Sequence, residues 1–358
     1  MLCKFLFESG LPTWALFFEL GVAALIVIVA GSRLTKLADE LADQLNLASG
    51  WVGLILLATV TSLPELMTGG TATAIGNVDL ALGAIFGSCS FNITLIVLLN
   101  ALWRDGSVLR GVSSIHTLTS SFGLALIGLA LLGIVLVEKF ESRPLVAQVT
   151  ETCWALAIFV TYLGCMRLTY RRGRSENGGI QATGPRQRVN RRMALGLVVT
   201  TLILVISSWW LAVLGDVLSV HEIGLIGRPL GATFVGAVFL ALATSLPEIV
   251  TSIAAVRLGD LNLALGNIFG SNMFNIFVIP FLKGISVVTG ESVMLAGSST
   301  SSSQKLIAGL LAVLLTAIAA GSLTYQTQRK MFSRFGFDAV LIAVTYFGGM
   351  ALLLMSAE

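Results

Sequence analysis

Apolar runs of membrane-spanning length alternate with short polar segments along nearly the whole chain. A helix needs about 20 mostly apolar residues to cross a bilayer. Ten runs come close to that length, and each predicts a transmembrane helix: roughly 14–34, 51–75, 80–102, 118–137, 149–168, 193–218, 233–256, 261–282, 306–323 and 337–355. The mixed pattern of 35–48 predicts a short amphipathic helix on the membrane surface. We therefore expect an all-α polytopic membrane protein with ten transmembrane helices.

A long polar segment, 169–192, divides the chain into two halves of five predicted helices, 1–168 and 193–358. Because five is odd, the second half must be inverted in the membrane relative to the first. The segment and its flanks are rich in arginine, which favours the cytoplasmic side: Arg167, Arg171, Arg172, Arg174, Arg186, Arg188, Arg191 and Arg192. We predict a cytoplasmic basic linker, both termini outside, and location in the plasma (inner) membrane.

Composition supports a membrane protein and argues against other classes. The chain is 56% hydrophobic and 11% charged, whereas soluble domains carry about 25% charged residues. The net charge of +3 comes from loop arginines and does not indicate a nucleic-acid partner. The four cysteines form no CxxC motif, so we predict neither a disulfide framework nor a zinc site.

The chain contains an internal duplication. The pentapeptide Thr61-Ser62-Leu63-Pro64-Glu65 returns 183 residues later as Thr244-Ser245-Leu246-Pro247-Glu248, and 19 of the 33 positions from Thr61 to Ile93 are identical in the second copy. Such ungapped identity indicates a repeat. We place the first repeat at 51–99 and the second at 233–282.

Each repeat puts a glutamate and a proline in the middle of a predicted transmembrane helix. A carboxylate there costs about 2.5–3.5 kcal/mol on insertion scales and should face a polar interior. Pro64 and Pro247 remove a backbone donor, which should free the carbonyls of Val60 and Ala243. Carbonyl, hydroxyl and carboxylate oxygens together are typical of a hard-cation site.

A second motif follows on the next helix of each repeat. Ser88 and Asn92 are four residues apart, as are Ser271 and Asn275, so each pair shares a helix face. Together the halves offer enough oxygens for the six to eight ligands that Ca²⁺ prefers. The glycines between the motifs are most simply interpreted as packing residues that let helices approach closely.

The alternative is a structural kink whose glutamate is satisfied by a neighbouring helix. One copy leaves the two interpretations about equally plausible, but two matched copies favour a binding site near the middle of the membrane.

These paired motifs resemble the two alpha-repeats of the cation/Ca²⁺ exchanger superfamily, and most closely its prokaryotic sodium/calcium exchanger branch. The resemblance implies that the corresponding residues here bind Na⁺ and Ca²⁺, with the alanines and threonines acting mainly through backbone carbonyls. That set is Ala58, Thr61, Ser62, Glu65, Ser88, Asn92, Ala241, Thr244, Ser245, Glu248, Ser271 and Asn275.

Three departures from the family pattern stand out. Val60 and Ala243 precede the Thr-Ser pairs where the family often has glycine. Cys89 stands where the second repeat has Asn272. Asn275 lies where some relatives, including potassium-dependent exchangers, carry aspartate. The first two departures should alter packing and cavity shape, and the third should affect selectivity.

The resemblance implies a Na⁺/Ca²⁺ antiporter that works by alternating access, with no resident cofactor. Its partners would be the transported cations and the lipid bilayer; no protein partner can be inferred. Proton-coupled exchange of Ca²⁺ or another divalent ion is the main alternative, although proton-coupled relatives typically carry glutamate at the positions of Asn92 and Asn275.

Other classes of function fit less well. An intramembrane hydrolase would need a base beside Ser62 or Ser245, and neither has a histidine or lysine near it in the sequence. A non-transporting scaffold would not need two matched carboxylates.

The remaining polar residues of the apolar regions carry weaker predictions. Glu19, Glu151 and Asp216 lie near predicted helix ends, where solvated carboxylates are common. His116 and His221 fall in predicted loops.

Overall fold

The computed structural model describes residues 13–45, 48–74, 76–103, 107–140, 142–177, 190–220, 241–290, 299–325, 330–332 and 335–356. In the first half the elements are α1 (Thr13–Leu45), α2 (Ser49–Val52), a π-helical turn (Gly53–Leu57), α3 (Ala58–Thr61), α4 (Leu63–Ala74), α5 (Val78–Leu102), α6 (Ile115–Lys139) and α7 (Pro144–Asn177).

The described helices of the second half follow a matching order. Its elements are α8 (Arg191–Val220), α9 (Ala241–Thr244), α10 (Leu246–Leu258), α11 (Leu261–Thr289), α12 (Ser299–Tyr325), the short antiparallel strands β1 (Lys330–Phe332) and β2 (Phe335–Gly336), and α13 (Phe337–Met355). Within the described residues, nine segments are long and apolar enough to cross a membrane. The predicted span 233–256 is described only from Ala241 onward.

The first helix is longer than predicted. The expected break before Thr35 is wrong, because α1 continues without interruption to Leu45. Its buried face also continues, through Leu34, Ala38 and Ala42, and packs against α8 and α10. The Thr35 hydroxyl donates to the carbonyl oxygens of Gly31 (3.0 Å) and Thr251 (3.3 Å), so a polar residue is accommodated inside the helix.

The helices on both sides of the predicted linker extend into it. Helix α7 runs to Asn177 and α8 begins at Arg191, which leaves 178–190 as the connection; of this, 178–189 lie outside the described residues.

The packing of the two halves follows a pseudo-twofold relation. Helix α1 packs on α8, and α6 on α12, so these matched helices pair with each other. The other contacts occur in swapped pairs: α5 with α12 corresponds to α11 with α6, and α6 with α7 corresponds to α12 with α13. Because each half crosses the membrane an odd number of times, this relation inverts one half against the other.

Matched turns join the two helices of each repeat. Gly76 and Gly259 both adopt the left-handed conformation, with φ of 78° and 85°, which favours glycine. The next residues cap the following helices: the Asn77 side chain accepts from the Leu80 N–H at 3.3 Å, and that of Asp260 accepts from the Leu263 N–H at 2.8 Å. These turns bring the serine–asparagine helix of each repeat back against its glutamate helix.

Candidate cation site between the two repeats

The glutamate helix of each repeat is interrupted at the serine of the pentapeptide. Ser62 lies between α3 and α4 with ψ of 4°, and Ser245 lies between α9 and α10 with ψ of 8°. The following prolines fall in the first turn of α4 and α10, where the missing N–H costs least. Glu65 and Glu248 therefore sit at helix N-termini, whose partial positive charge stabilises carboxylates.

Glycines bring α11 very close to the first part of the interrupted helix. A Cβ atom on Gly270 would lie 2.6 Å from the Ala58 Cβ and 2.7 Å from the Leu54 carbonyl oxygen. A Cβ on Gly266 would collide with the Gly50 carbonyl oxygen. These contacts support the packing role expected of the glycines, and they place Ser271 beside α3, with its hydroxyl 3.4 Å from that of Thr61.

The Glu65 carboxylate is bound by hydroxyls from both halves. Its Oε1 accepts from the Ser245 hydroxyl at 3.3 Å and from the Ser88 hydroxyl at 3.5 Å. The Thr244 hydroxyl also lies within hydrogen-bonding reach of this carboxylate. Ser88 comes from the same repeat as Glu65, whereas Thr244 and Ser245 come from the other.

Glu248 is held in the mirrored arrangement. Its Oε1 accepts from the Ser62 hydroxyl at 3.1 Å and from the Ser271 hydroxyl at 3.3 Å, and the Thr61 hydroxyl lies close to the carboxylate. The Thr-Ser pair of each repeat thus contacts the glutamate of the other repeat, so that both carboxylates belong to one cluster.

Several oxygens in this cluster are buried and have no hydrogen-bond donor among the described residues. They are Glu65 Oε2, Glu248 Oε2, Asn92 Oδ1 and Asn275 Oδ1. Buried polar atoms are nearly always paired, and a buried carboxylate is stable only when it is neutralised or paired. The possible metal ligands are all oxygens, and together they carry two formal negative charges. This combination suits a hard divalent cation.

All twelve predicted site residues lie in buried positions near the two interruptions. The backbone carbonyls of Ala58 and Ala241 accept from the Ser62 and Ser245 N–H groups at 3.1 and 2.9 Å. The Thr61 and Thr244 hydroxyls also lie within hydrogen-bonding distance of these two oxygens, at 3.5 and 3.3 Å. A cation would therefore compete with a hydroxyl for the second lone pair of each carbonyl.

Two further asparagines of this cluster lie outside the predicted ligand set. Asn267 donates to the hydroxyls of Thr251 (2.9 Å) and Ser252 (3.1 Å) and accepts from the Thr61 hydroxyl at 3.3 Å. Asn272 accepts from the Asn92 side chain at 3.1 Å. The first repeat has Ala84 and Cys89 at the matched positions, so neither asparagine belongs to the pattern that the two repeats share.

The predictions for the other polar residues had mixed outcomes. Glu151 is 1% exposed and ion-paired with Lys283, so the expectation of a solvated carboxylate is wrong for it. His116 lies in the first turn of α6 rather than in a loop, with Nε2 3.2 Å from the Asn262 Oδ1. His221 and the Asp216 side chain fall outside the described part of the chain.

A sequence model described as "Sodium/calcium exchanger protein" matches residues 15–170 and 193–355, nearly the whole chain. The chain belongs to the sodium/calcium exchanger family. The family match covers both repeats and leaves out the segment between the halves.

The chain is similar in sequence to three prokaryotic proteins. It is 29% identical to the putative antiporter CaxA of Alkalimonas amylolytica, with 84% of this chain and 89% of the relative covered. It is 28% identical to the inner membrane protein YrbG of Escherichia coli K12, with coverages of 82% and 86%. It is also 28% identical to the sodium/calcium exchanger MaX1 of Methanosarcina acetivorans, with coverages of 73% and 80%.

The fold matches solved structures of the sodium–calcium exchanger NCX_Mj. Against one from crystals soaked with 100 mM Na⁺ and 10 mM Sr²⁺, the TM-score is 0.64 at 19% identity, covering 94% of this chain and 98% of the other. At that identity the likeness establishes the fold, and the fold is that of a membrane exchanger built from two inverted five-helix repeats.

Proposed function

We propose that the protein is a secondary antiporter that exchanges Na⁺ for Ca²⁺ by alternating access to the cluster around Glu65 and Glu248. The observation that carries this proposal is the meeting of two carboxylates from inverted halves in one buried cluster, each with one oxygen that has no donor among the described residues. The relative MaX1 carries the name sodium/calcium exchanger, which agrees with this substrate pair.

The proposed cation ligands are the twelve residues that the family resemblance implied. The carboxylates would supply charge, Asn92 and Asn275 neutral oxygens, and Ala58 and Ala241 backbone carbonyls. The hydroxyls of Ser62 and Ser245 donate to the glutamates in this structure. A hydroxyl is both donor and acceptor, so the same groups could turn lone pairs toward a cation.

Charge balance makes exchange sensitive to voltage if the family's usual several-for-one exchange applies. With both glutamates ionised, one Ca²⁺ makes the cluster neutral, whereas three Na⁺ make it carry a charge of +1. A potential of 100 mV then contributes about 2.3 kcal/mol per elementary charge moved through the whole field. Na⁺ entering along its gradient would drive Ca²⁺ out of the cell, with the linker on the cytoplasmic side.

Proton coupling is the competing function, because a glutamate can also carry protons. Asn92 and Asn275 argue against proton coupling. An amide does not take up a proton at physiological pH, and it offers a cation only a neutral oxygen. The two proposals differ only in whether Na⁺ or H⁺ drives the exchange, and both use the same Ca²⁺ site.

The test is uptake of radioactive Ca²⁺ by purified protein in sealed liposomes. An outward Na⁺ gradient should drive uptake above that of empty liposomes, whereas a pH gradient without Na⁺ should not. Uptake driven by the pH gradient alone would favour proton coupling. Absence of uptake under both gradients would contradict the proposal that this protein moves Ca²⁺.

A further inference from the structure

Cys89 and Asn272 occupy matched positions, 183 residues apart, where α5 crosses α11. The Asn272 Nδ2 donates to the Cys89 carbonyl oxygen at 3.0 Å, and the Cys89 thiol lies 3.7 Å from the Asn272 carbonyl oxygen as its weak donor. This reciprocal pair places the pseudo-twofold axis between the two residues. Any difference between their side chains therefore breaks the symmetry of the site at its centre.

The difference between the Cys89 and Asn272 side chains affects the site through Asn92, which contacts Asn272. Its Nδ2 donates to the Asn272 Oδ1 at 3.1 Å, and its own Oδ1 is buried without a partner among the described residues. With the nitrogen engaged, the amide has one preferred orientation, in which the oxygen is the atom left for a cation. Asn272 thus positions Asn92.

Asn275, the matched amide, has no such support. The Cys89 thiol lies within its hydrogen-bonding reach, and neither its nitrogen nor its oxygen meets a stronger partner among the described residues. Sulfur is a weak acceptor, so a thiol orients an amide less firmly than a carboxamide oxygen does. The two orientations of the Asn275 amide are therefore close in energy. In one of them the amide presents its N–H groups, which repel a cation.

We propose that residues 89 and 272 determine the cation affinity of the two halves, with Asn272 fixing the Asn92 amide and Cys89 leaving the Asn275 amide loosely oriented. This inference rests on the proposed function, since it concerns binding at the same cluster. A cation that takes six to eight oxygens gains most when both amides are fixed. The cysteine therefore weakens Ca²⁺ binding on the side of the second repeat.

The test is the dissociation constant for Ca²⁺, measured by calorimetry on purified full-length protein. Asn272→Cys should bind Ca²⁺ about threefold to tenfold more weakly, the effect of one net hydrogen bond. Cys89→Asn should bind it more tightly by a similar factor. Cys89→Ser, whose hydroxyl is a better acceptor than a thiol at almost the same size, should fall between the wild type and Cys89→Asn.

A control separates positioning from packing. Ser90→Ala changes a buried neighbour on α5 whose hydroxyl has no partner among the described residues, and its Ca²⁺ affinity should equal that of the wild type. Melting temperatures without Ca²⁺ identify any variant that is damaged structurally. If Cys89→Asn does not fold, Cys89→Ser carries the same test.

Folded Cys89 variants with wild-type affinity would overturn the assignment of Cys89, and a folded Asn272→Cys with wild-type affinity would overturn that of Asn272. The double exchange Cys89→Asn with Asn272→Cys should return affinity to near the wild-type value, because the support moves from one half to the other. A wild type that binds no Ca²⁺ would instead overturn the proposed function.

Discussion

At the scale of single residues, the site depends on hydroxyls that cross between the repeats. Ser62 holds Glu248 and Ser245 holds Glu65, at 3.1 and 3.3 Å. Each glutamate is thereby oriented by the half to which it does not belong. Neither half on its own assembles a complete carboxylate environment, which explains why the motif occurs twice with both residue types retained.

Asn275→Asp tests the role of the neutral amide. A third carboxylate beside two others should make the cluster easier to protonate, because like charges close together favour the neutral form. We expect exchange by the variant to be inhibited by mild acid that the wild type tolerates. We also expect wild-type exchange to need no K⁺, since the aspartate associated with K⁺ binding in relatives is absent.

The measurement is Na⁺-driven Ca²⁺ uptake across pH, with and without K⁺, for both proteins. An unchanged profile in the variant, or an absolute K⁺ requirement in the wild type, would show that Asn275 is not part of the site.

The sequence predicted the buried residue set well and its hydrogen-bond partners poorly. Spacing places Ser62 and Glu65 on one helix face, but only the packed halves show that Ser62 serves Glu248. Lys283 and Glu151 lie 132 residues apart on different helices, so no periodicity could pair them. Asn267 and Asn272 were not predicted as site residues, because their matched positions in the first repeat, Ala84 and Cys89, are not asparagine.

At the scale of helices, the breaks in the two glutamate helices were predictable and the π-helical turn was not. A proline inside an apolar run indicates an interruption from its own chemistry. The π-helical turn at Gly53–Leu57 lies directly before α3 and contacts α11. Its extra residue depends on how two helices fit together, which a single run of residues does not encode.

Gly270→Ala tests the close crossing of α11 and α3. The new methyl group would meet the Ala58 Cβ at 2.6 Å and the Leu54 carbonyl oxygen at 2.7 Å, so the helices must separate. Overpacking of this kind costs about 1–3 kcal/mol, and the displaced Ser271 should lower transport. Gly284→Ala on the same helix is the control, because no atom lies within 4 Å of its added carbon. Equal transport and thermal stability in both variants would contradict the crossing.

The buried ion pair between Lys283 and Glu151 joins α11 to α7. Removing one partner of a buried pair destabilises a protein by about 3–5 kcal/mol, whereas replacing both is often tolerated. Lys283→Met should therefore lower the thermal stability of the purified protein, and the further change Glu151→Leu should restore most of it. A stable single variant, or a double variant no better than the single one, would show that the pair contributes little.

At the scale of the whole molecule, the two halves match in fold but differ in chemistry at their ends. Lys283 forms an ion pair with Glu151, and Asp79 forms one with Lys305. In the other repeat, the position matched to Lys283 is Asn100 and the position matched to Asp79 is Asn262. These side chains instead accept hydrogen bonds from the backbone N–H groups of Val108 and Ser113. Helix directions place both ion pairs at the end remote from the segment between the halves. The two ends are therefore held together by different interactions.

Inversion of the halves followed from counting helices, since five crossings leave no other arrangement. The limits of the linker did not follow, because the polar residues 169–177 continue α7. Their helical structure comes from extension of an existing helix, where each added residue costs less than a new nucleus.

Deleting about ten residues within 178–189 should leave transport largely intact. The segment is polar, and the halves are already joined by packing between α1 and α8 and between α6 and α12. The entropic cost of loop closure changes slowly with length. The measurement is Ca²⁺ uptake by well-inserted protein, compared with a variant in which the same residues are replaced by a Gly/Ser sequence of equal length. Loss of uptake in both would mean that the segment has a regulatory or structural role.

The central claim is that Glu65 and Glu248 form one Ca²⁺ site rather than one site in each half. The most direct test is the number of Ca²⁺ ions bound at saturation by the wild type, Glu65→Gln and Glu248→Gln, with uptake measured in parallel. One shared site predicts that either single variant, properly folded, loses binding and uptake completely, because removing one charge leaves a divalent ion uncompensated in a low-dielectric environment. Binding reduced by half, with uptake retained, in either variant would contradict the claim.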